Sequence, residues 1–312
     1  MNNQMKKSLD FFIDGEIREA KEIVAGYYDT FFNENNELTE KGLDEARFYP
    51  LPLGLKKILK LALLNNRIVS ETDNDLYKKY LIKFCLIDKN NKLTERGHCK
   101  AVEGISLVKQ CSEISLNYEL ITLPFNGNPE LALLAYYQSL GFIGISSEGT
   151  GILMVLKALM LDIFTKYNIF KDIEDTCSGG VASFFLTRPD KSNEMISSIS
   201  LTSRQDFISN FKAITSIPYQ ASECSNLSIE FACEMYDSIS TSTFISIAKK
   251  IAENPYMYSK GWPDLTLIKD NTVSFVEVKT TDKLHVSQLT TIPAMQAITP
   301  FSFSVCCIKN IE

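Results

Sequence analysis

The chain of 312 residues, 45% of them apolar, is long enough to bury a sizeable core across two or three domains. Its net charge is −6, and residues 141–312 carry 14 Lys and Arg against 18 Asp and Glu, which counts against tight, non-specific binding to a polyanion through a basic stripe. No apolar run reaches the roughly 20 residues of a membrane helix. The opening MNNQMKKSLDFFIDGE turns acidic before a signal-peptide core could form, so no membrane association and a cytoplasmic location are expected.

Residues 1–140 read as a mainly helical region. Within it 34-ENNELTEKGLDEARF-48 and 89-KNNKLTERGHCKAVE-103 share one order, polar turn, Leu-Thr-Glu-basic-Gly, then helix, at a spacing of 55 residues. Ahead of the second copy, 78-KKYLIKFCLID-88 reads as an apolar helix end and a short strand, so the turn and LTERG make a small hairpin leading into a helix. That order resembles winged-helix domains, in which the recognition helix precedes the wing. As a wing, the second copy would present Lys89, Lys92, Arg96 and Lys100 to phosphates. A pair of helical hairpins that never touch nucleic acid fits the same pattern equally well.

Residues 141–312 read as the second region, with its core at about 223–312. Asn128 to Leu140 and Ile152 to Tyr167 are dense in apolar residues and read as core helices. Between them, 141-GFIGISSEGTG-151 places Glu148 at a helix start, with Ser146 or Ser147 as its cap. The stretch 176-TCSGGVASFFLTRPDKSNE-194 has turn residues at both ends and reads as a linker or strand. Residues 227–239 and 242–254 read as a helix pair, the latter capped by Ser242 or Thr243.

The eight cysteines, Cys85, Cys99, Cys111, Cys177, Cys224, Cys233, Cys306 and Cys307, are scattered, with no CxxC pair, and fit reduced thiols. With only His98 and His285 beside them, no zinc-finger ligand set exists, and hard oxygen ligands remain. A cysteine hydrolase built on Cys306 or Cys307 is disfavoured, because both lie in an apolar strand-like run.

The chemistry concentrates in 261-GWPDLTLIKDNTVSFVEVKT-280. Leu265 to Ile268 and Val273 to Thr280 read as two strands of a hairpin around 269-KDNT-272. In the second strand Phe275, Glu277 and Lys279 share one face while Val276 and Val278 face the other way. Asp264, at the start of the first strand, can lie across from them, so two carboxylates and one ammonium converge. Close carboxylates stay ionised only with a cation between them, and Mg²⁺ or Mn²⁺ suits such oxygen donors. Metal-assisted hydrolysis of a phosphodiester is therefore the leading chemistry, with Lys279 orienting the nucleophile or stabilising developing charge. An exposed Glu-Lys pair on a surface hairpin is the plain alternative, and the apolar setting of SFVEVK speaks against it.

The series Pro-Asp, twelve intervening residues, Glu-Val-Lys, then Asp282, Leu284 and Gln288 resembles the VRR-NUC family of the PD-(D/E)XK nuclease superfamily over about residues 258–298. The resemblance implies an α/β nuclease core, a hairpin-centred sheet flanked by helices, following the mainly helical N-terminal region. It also implies that Asp264 and Glu277 are metal ligands, that the Val278 carbonyl completes the shell, that Lys279 is the catalytic lysine and that Gln288 supports the site. The segment 147-SEGTGILMVLKALMLDIF-164 resembles the acid-glycine helix of the Fanconi-associated nuclease branch, which implies that Glu148 is a further metal ligand and that the partner is branched DNA, particularly 5′ flaps, in repair. Lys260 joins the candidate DNA contacts. Two departures stand out: Thr280-Thr281 follows the lysine where the family often has Gly-Pro, and His285 follows Leu284 where it often has Ser. A non-catalytic DNA-binding or regulatory protein retaining a nuclease fold is the competing interpretation. Trp262, the only tryptophan, is expected to anchor the core rather than to stack on a base.

Overall fold

The computed structural model describes residues 3–25, 31–46, 49–70, 74–217 and 227–311; Cys224 lies outside them. The chain forms two compact units, residues 1–110 and 111–312. No helix among the described residues is long and apolar enough to cross a membrane.

The first unit contains α1 (Asn3–Asp14), α2 (Ile17–Val24), α3 (Glu40–Ala46), α4 (Leu53–Leu64), α5 (Asp75–Lys83) and α6 (Glu95–Glu103). Met5, Leu9, Phe12 and Ile13 recur at helical spacing on α1 and enter one core with Leu55 and Leu59 of α4 and Leu81 of α5. The internal repeat is structural as well as textual. Phe32 pairs with Leu38 and Ile87 with Leu93 in short antiparallel bridges. The threonine of each Leu-Thr-Glu then caps its helix, Thr39 accepting from the Gly42 N–H at 3.2 Å and Thr94 from the Gly97 N–H at 3.1 Å. The glycine is required by proximity: a Cβ on Gly97 would stand 1.8 Å from the Leu86 carbonyl oxygen.

Of the four basic residues expected on a wing, Lys89 and Lys92 are exposed near the hairpin tip. The other two are partly covered and form ion pairs with neighbouring glutamates. Arg96 pairs with Glu40 of the first repeat copy, and Lys100, largely covered, pairs with Glu103.

Helix α7 (Leu107–Glu113) runs across the division between the units, and the second unit continues with β1 (Asn117–Leu123), α8 (Pro129–Ser139), β2 (Ile143–Ser146) and α9 (Thr150–Tyr167). Then come α10 (Ile173–Ser178), α11 (Val181–Thr187), α12 (Ser192–Ser198), α13 (Arg204–Thr215), α14 (Ile229–Ser238), α15 (Thr241–Glu253) and α16 (Pro255–Tyr258). The last elements are β3 (Leu265–Lys269), β4 (Thr272–Lys279), α17 (Val286–Ile298) and β5 (Ser302–Asn310). The mixed sheet has the order β1-β5-β4-β3-β2. β2, β3 and β4 are antiparallel, whereas β4, β5 and β1 run parallel, with α17 as the crossover from β4 to β5.

The alternation of β4 divides the sheet into two faces. Val276 and Val278 pack with Leu265, Leu267 and Leu133 of α8. On the other face Phe275 stacks on Phe303, ring centroids 5.2 Å apart, and meets the buried Trp262. The tight turn at Asp270 and Asn271, both at positive φ, sets the register that puts Glu277 and Lys279 on this second face.

Four expectations change. The division falls after Gln110 rather than at residue 140, because β1 and α8 join the sheet. The stretch 176–194 is helical, since Val181, Phe184 and Phe185 recur at i, i+3 and i+4 and the Gly179-Gly180 pair merely separates α10 from α11. Ser240, not Ser242 or Thr243, caps α15. Glu148 stands ahead of α9 rather than in its first turn, with Gly149 at the cap position, while the Ser147 hydroxyl accepts the Gly151 N–H of the helix start at 3.4 Å.

Gly97→Ala is expected to destabilise the first unit by about 2 kcal/mol or more. Gly104→Ala, at φ −77° with its nearest neighbour 3.4 Å away, should be close to neutral. Thermal unfolding of the two variants beside the parent protein checks both expectations.

Candidate active site

The site lies at the end of β3 and β4 and is assembled from four places in the chain. Asp264 immediately precedes β3, and its Oδ2 accepts the Val278 N–H at 2.7 Å, which ties it to β4. Glu277 and Lys279 project side by side from β4, with Lys279 Nζ 2.7 Å from Glu277 Oε1 and 3.2 Å from Asp282 Oδ2. Gln288, in the first turn of α17, donates from Nε2 to the same Glu277 Oε1 at 2.5 Å and accepts the His285 N–H at 2.9 Å. Its amide is thereby held at both ends. The loop after β2 extends the strand ladder, as the Ser147 and Glu148 N–H groups donate to the Asp264 carbonyl at 2.9 and 3.4 Å. Glu148 is thus placed beside Asp264 although the two are more than a hundred residues apart.

Two glycines allow these close approaches. Gly149 has φ +81°, and a Cβ there would stand 2.4 Å from Trp262 Cβ. Gly261 has φ +74°, and a Cβ there would meet the Ser287 backbone at 2.3 Å, so the turn before Pro263 presses against the start of α17. Thr291 of α17 fastens the same turn through the Met257 and Lys260 carbonyls. Trp262 is buried and donates its Nε1–H to the Tyr258 carbonyl, as befits a core anchor.

The electrostatics are those of charges drawn out of water. Glu277 is fully buried, and its Oε2 takes no hydrogen bond from a donor group; its side-chain neighbour is the Asp264 carboxyl, to which only a protonated acid could bond. Burial first, and then the charge of Asp264, push the Glu277 pKa up to about 8 against the pull of Lys279. Asp264 is also raised, chiefly by burial; the Val278 N–H and Lys279 oppose this, and Glu130 adds to it. For Lys279 burial alone would favour the neutral amine, but Glu277 and Asp282 outweigh it and lift its pKa above the ordinary value.

Asp264, Glu277, Val278, Lys279, Glu148, Gln288 and Lys260 all line one cavity of about 510 Å³. Lys89, Lys92, Arg96 and Lys100 belong to the first unit and are not part of it. Among the described residues, no three His, Cys, Asp or Glu side chains stand close enough together to hold a metal ion by themselves. The donor set nevertheless suits an oxygen-loving divalent cation. An ionised Glu277 Oε2, buried and unpartnered across from a second carboxylate, is stabilised by such an ion, with water or substrate oxygens completing the shell. The adjacent Cys306 thiol is pushed up to about 12 by burial, as expected of an inert core residue.

Two features of the site depend on placement beyond the local sequence. Asp282 belongs to the motif, but its grip on Lys279 depends on the path of the loop after β4. Glu130 also lines the cavity, from the sheet's opposite face. Only the packing of Leu133, one helical turn further along α8, against Leu265 and Val278 shows that Glu130 points to this end of the sheet.

The architecture is that of an α/β core in which a mixed sheet presents acids at its strand ends. No family model and no curated protein matches the sequence. Among solved structures the fold resembles paFAN1 bound to 2-nucleotide 5′-flap DNA with a gap, at a TM-score of 0.55 and 12% identity over 99% of this chain and 54% of that one. It also resembles paFAN1 bound to 1-nucleotide 5′-flap DNA with a gap, at 0.52 and 13% identity over 95% and 55%. The likeness is one of fold, and the chain spans about half the length of the structures it matches.

The raised carboxyls make a sign-definite prediction. The unfolded Glu277 ionises near 4.5 and the folded one near 8, so the folded state holds the extra proton between them. Metal-free stability from this group is therefore undiminished below about pH 4.5 and is lost progressively as pH rises towards 8. Asp264 acts in the same sense, and Lys279 keeps its proton throughout. In EDTA the melting temperature should fall across this window, and Mn²⁺ should oppose the fall while releasing protons at pH 7, read by calorimetry in buffers of different ionisation enthalpy. A flat melting profile would remove the buried-carboxylate account.

Proposed function

We propose that the chain is a divalent-metal-dependent nuclease of the VRR-NUC type, hydrolysing phosphodiester bonds in flapped or branched DNA in repair or defence. One observation carries this reading: the buried, unpartnered oxygen of Glu277 opposite Asp264, with Lys279 fixed beside them. With the helices α9 to α16 set between β2 and β3, the order α8, β2, β3, β4, α17, β5 supports a PD-(D/E)XK core, and the likeness to paFAN1, solved with 5′-flap DNA, supports the substrate class.

Asp264 and Glu277 would hold Mg²⁺ or Mn²⁺, with the Val278 carbonyl and Glu148 at its margin. The bound ion would supply Lewis acidity to a phosphoryl oxygen and acidify a water. Asp264, clamped by the Val278 N–H, and Glu277, clamped by Gln288, keep their carboxylates in place without reorganisation. Lys279 is held by Glu277 and Asp282 with its ammonium charged, ready to orient an attacking water or to meet charge developing on the phosphate. Lys260, exposed on the cavity rim, is placed to contact the DNA backbone, and Lys89 and Lys92 could do so from the first unit. A non-catalytic DNA-binding scaffold is the second reading. The intact set of Asp264, Glu277 and Lys279 weighs against it.

The test is a panel of labelled single-stranded, duplex, 5′-flap and four-way-junction DNAs with Mg²⁺ or Mn²⁺. Asp264→Ala and Glu277→Ala should each abolish cleavage, and Lys279→Ala should lower turnover about 10²-fold with metal binding retained. Glu148→Gln should weaken both metal binding and turnover while melting stays within a few degrees of the parent. Wild-type turnover in Asp264→Ala or Glu277→Ala would overturn the assignment, and Mn²⁺ binding without cleavage of any substrate would favour the scaffold.

A further inference from the structure

The cavity is lined by five carboxyl side chains, those of Glu130, Glu148, Asp264, Glu277 and Asp282. Against them stand two ammonium groups, Lys260 and the buried Lys279. Even with Glu277 carrying its proton, this wall is negative, and a phosphodiester entering it is repelled. The Oε2 of Glu277, nearly fully buried, takes no hydrogen bond from a donor group and faces the Asp264 carboxyl, a second observation that favours a cation in this cavity. Glu130 differs from the other acids. It belongs to α8, packed by Leu133 against the face of the sheet opposite to Glu277, and it has no place in the clamp formed by Val278, Gln288 and Lys279.

We propose that Glu130 is an electrostatic gate, a charge that keeps the DNA backbone out of the cavity until a divalent cation is bound and so makes the order of binding metal first, nucleic acid second. The gate rests on the nuclease reading and adds its control. Its carboxylate needs no contact with the ion, because a unit charge a few ångströms from an entering phosphate in a partly desolvated cleft already changes affinity severalfold. The charge of Glu130 is felt at Asp264, so it reaches the point where the ion would sit. Once the ion is in place the balance reverses, and Lys260 and Lys279 reinforce the attraction. A protein so arranged does not trap DNA unproductively in the absence of metal.

The experiment measures anisotropy of a short fluorescein-labelled 5′-flap duplex with the full chain, in EDTA and in Ca²⁺, for the parent, Glu130→Gln and Glu130→Lys. The parent should bind about tenfold or more tightly with Ca²⁺. In EDTA the affinity should rise from parent to Glu130→Gln by roughly threefold to tenfold, and rise again in Glu130→Lys, with the differences shrinking at high salt. Mn²⁺ binding, followed by electron paramagnetic resonance, should persist in Glu130→Gln, weakened by roughly tenfold through the lost charge alone, whereas Asp264→Asn should lose it. Equal EDTA affinities in all three proteins would overturn the gate while leaving the nuclease reading intact. Loss of Mn²⁺ binding in Glu130→Gln would make Glu130 a ligand and overturn the gate as stated. Absence of DNA binding by the parent under both conditions would overturn the nuclease reading itself.

Discussion

A fully buried carboxylate with one oxygen unsatisfied is the constraint around which the second unit is organised. Isolated, such a group costs several kcal/mol, and the fold offsets only half of it, by giving Glu277 Oε1 to Lys279 and Gln288. The remaining half is not a packing defect. Phe275, two residues earlier on the same strand, sits in a stacked aromatic cluster, so β4 could hardly be placed with more care. The strand is fixed apolar residue by apolar residue up to the point where it delivers a carboxyl that burial and Asp264 together hold towards its protonated form.

Helix α17 and the turn at Gly261 hold that arrangement in place. Gly261 lets the chain pass against the backbone of Ser287, Thr291 fastens the turn from the next helical turn, and Gln288 reaches from the same helix to Glu277. One helix thus sets the height of Asp264 and the orientation of Glu277 at once. His285, just before the helix, supplies the backbone N–H that Gln288 accepts, so the support of the carboxylate is anchored at both ends.

The sequence made the hairpin legible because three short-range signals agree there: a turn of Asp and Asn, a period of two, and charges in an apolar setting. The faces of Phe275, Glu277 and Lys279 follow from that period alone. The repeat in the first unit was also legible, since Thr39 and Thr94 perform the same local capping bond. What escaped depends on tertiary placement. The strand character of residues 117–123 comes from pairing with β5, far away in sequence, and α11 read as a linker or strand because turn residues flank its short apolar run and masked the helical spacing of Val181, Phe184 and Phe185. Arg96 looked free because its partner Glu40 lies on α3, whose position the sequence does not reveal, whereas the Lys100–Glu103 pair is an i,i+3 contact within α6 that the sequence already offered.

The antiparallel pairing of β2 with β3 has a kinetic corollary. The two strands are neighbours, yet the chain between Ser146 and Leu265 makes a helical excursion of more than a hundred residues before returning to the Asp264 carbonyl. Contacts of such long sequence separation close late, since the entropy of the intervening loop must be overcome before the ladder rewards it. During synthesis Glu148 emerges from the ribosome well before its strand partner exists, and β5, which pairs β1 to β4, is made last. The helices of the excursion can condense while the sheet is still open, so the acidic cavity assembles only after β3, β4 and α17 have followed them and closed onto β2.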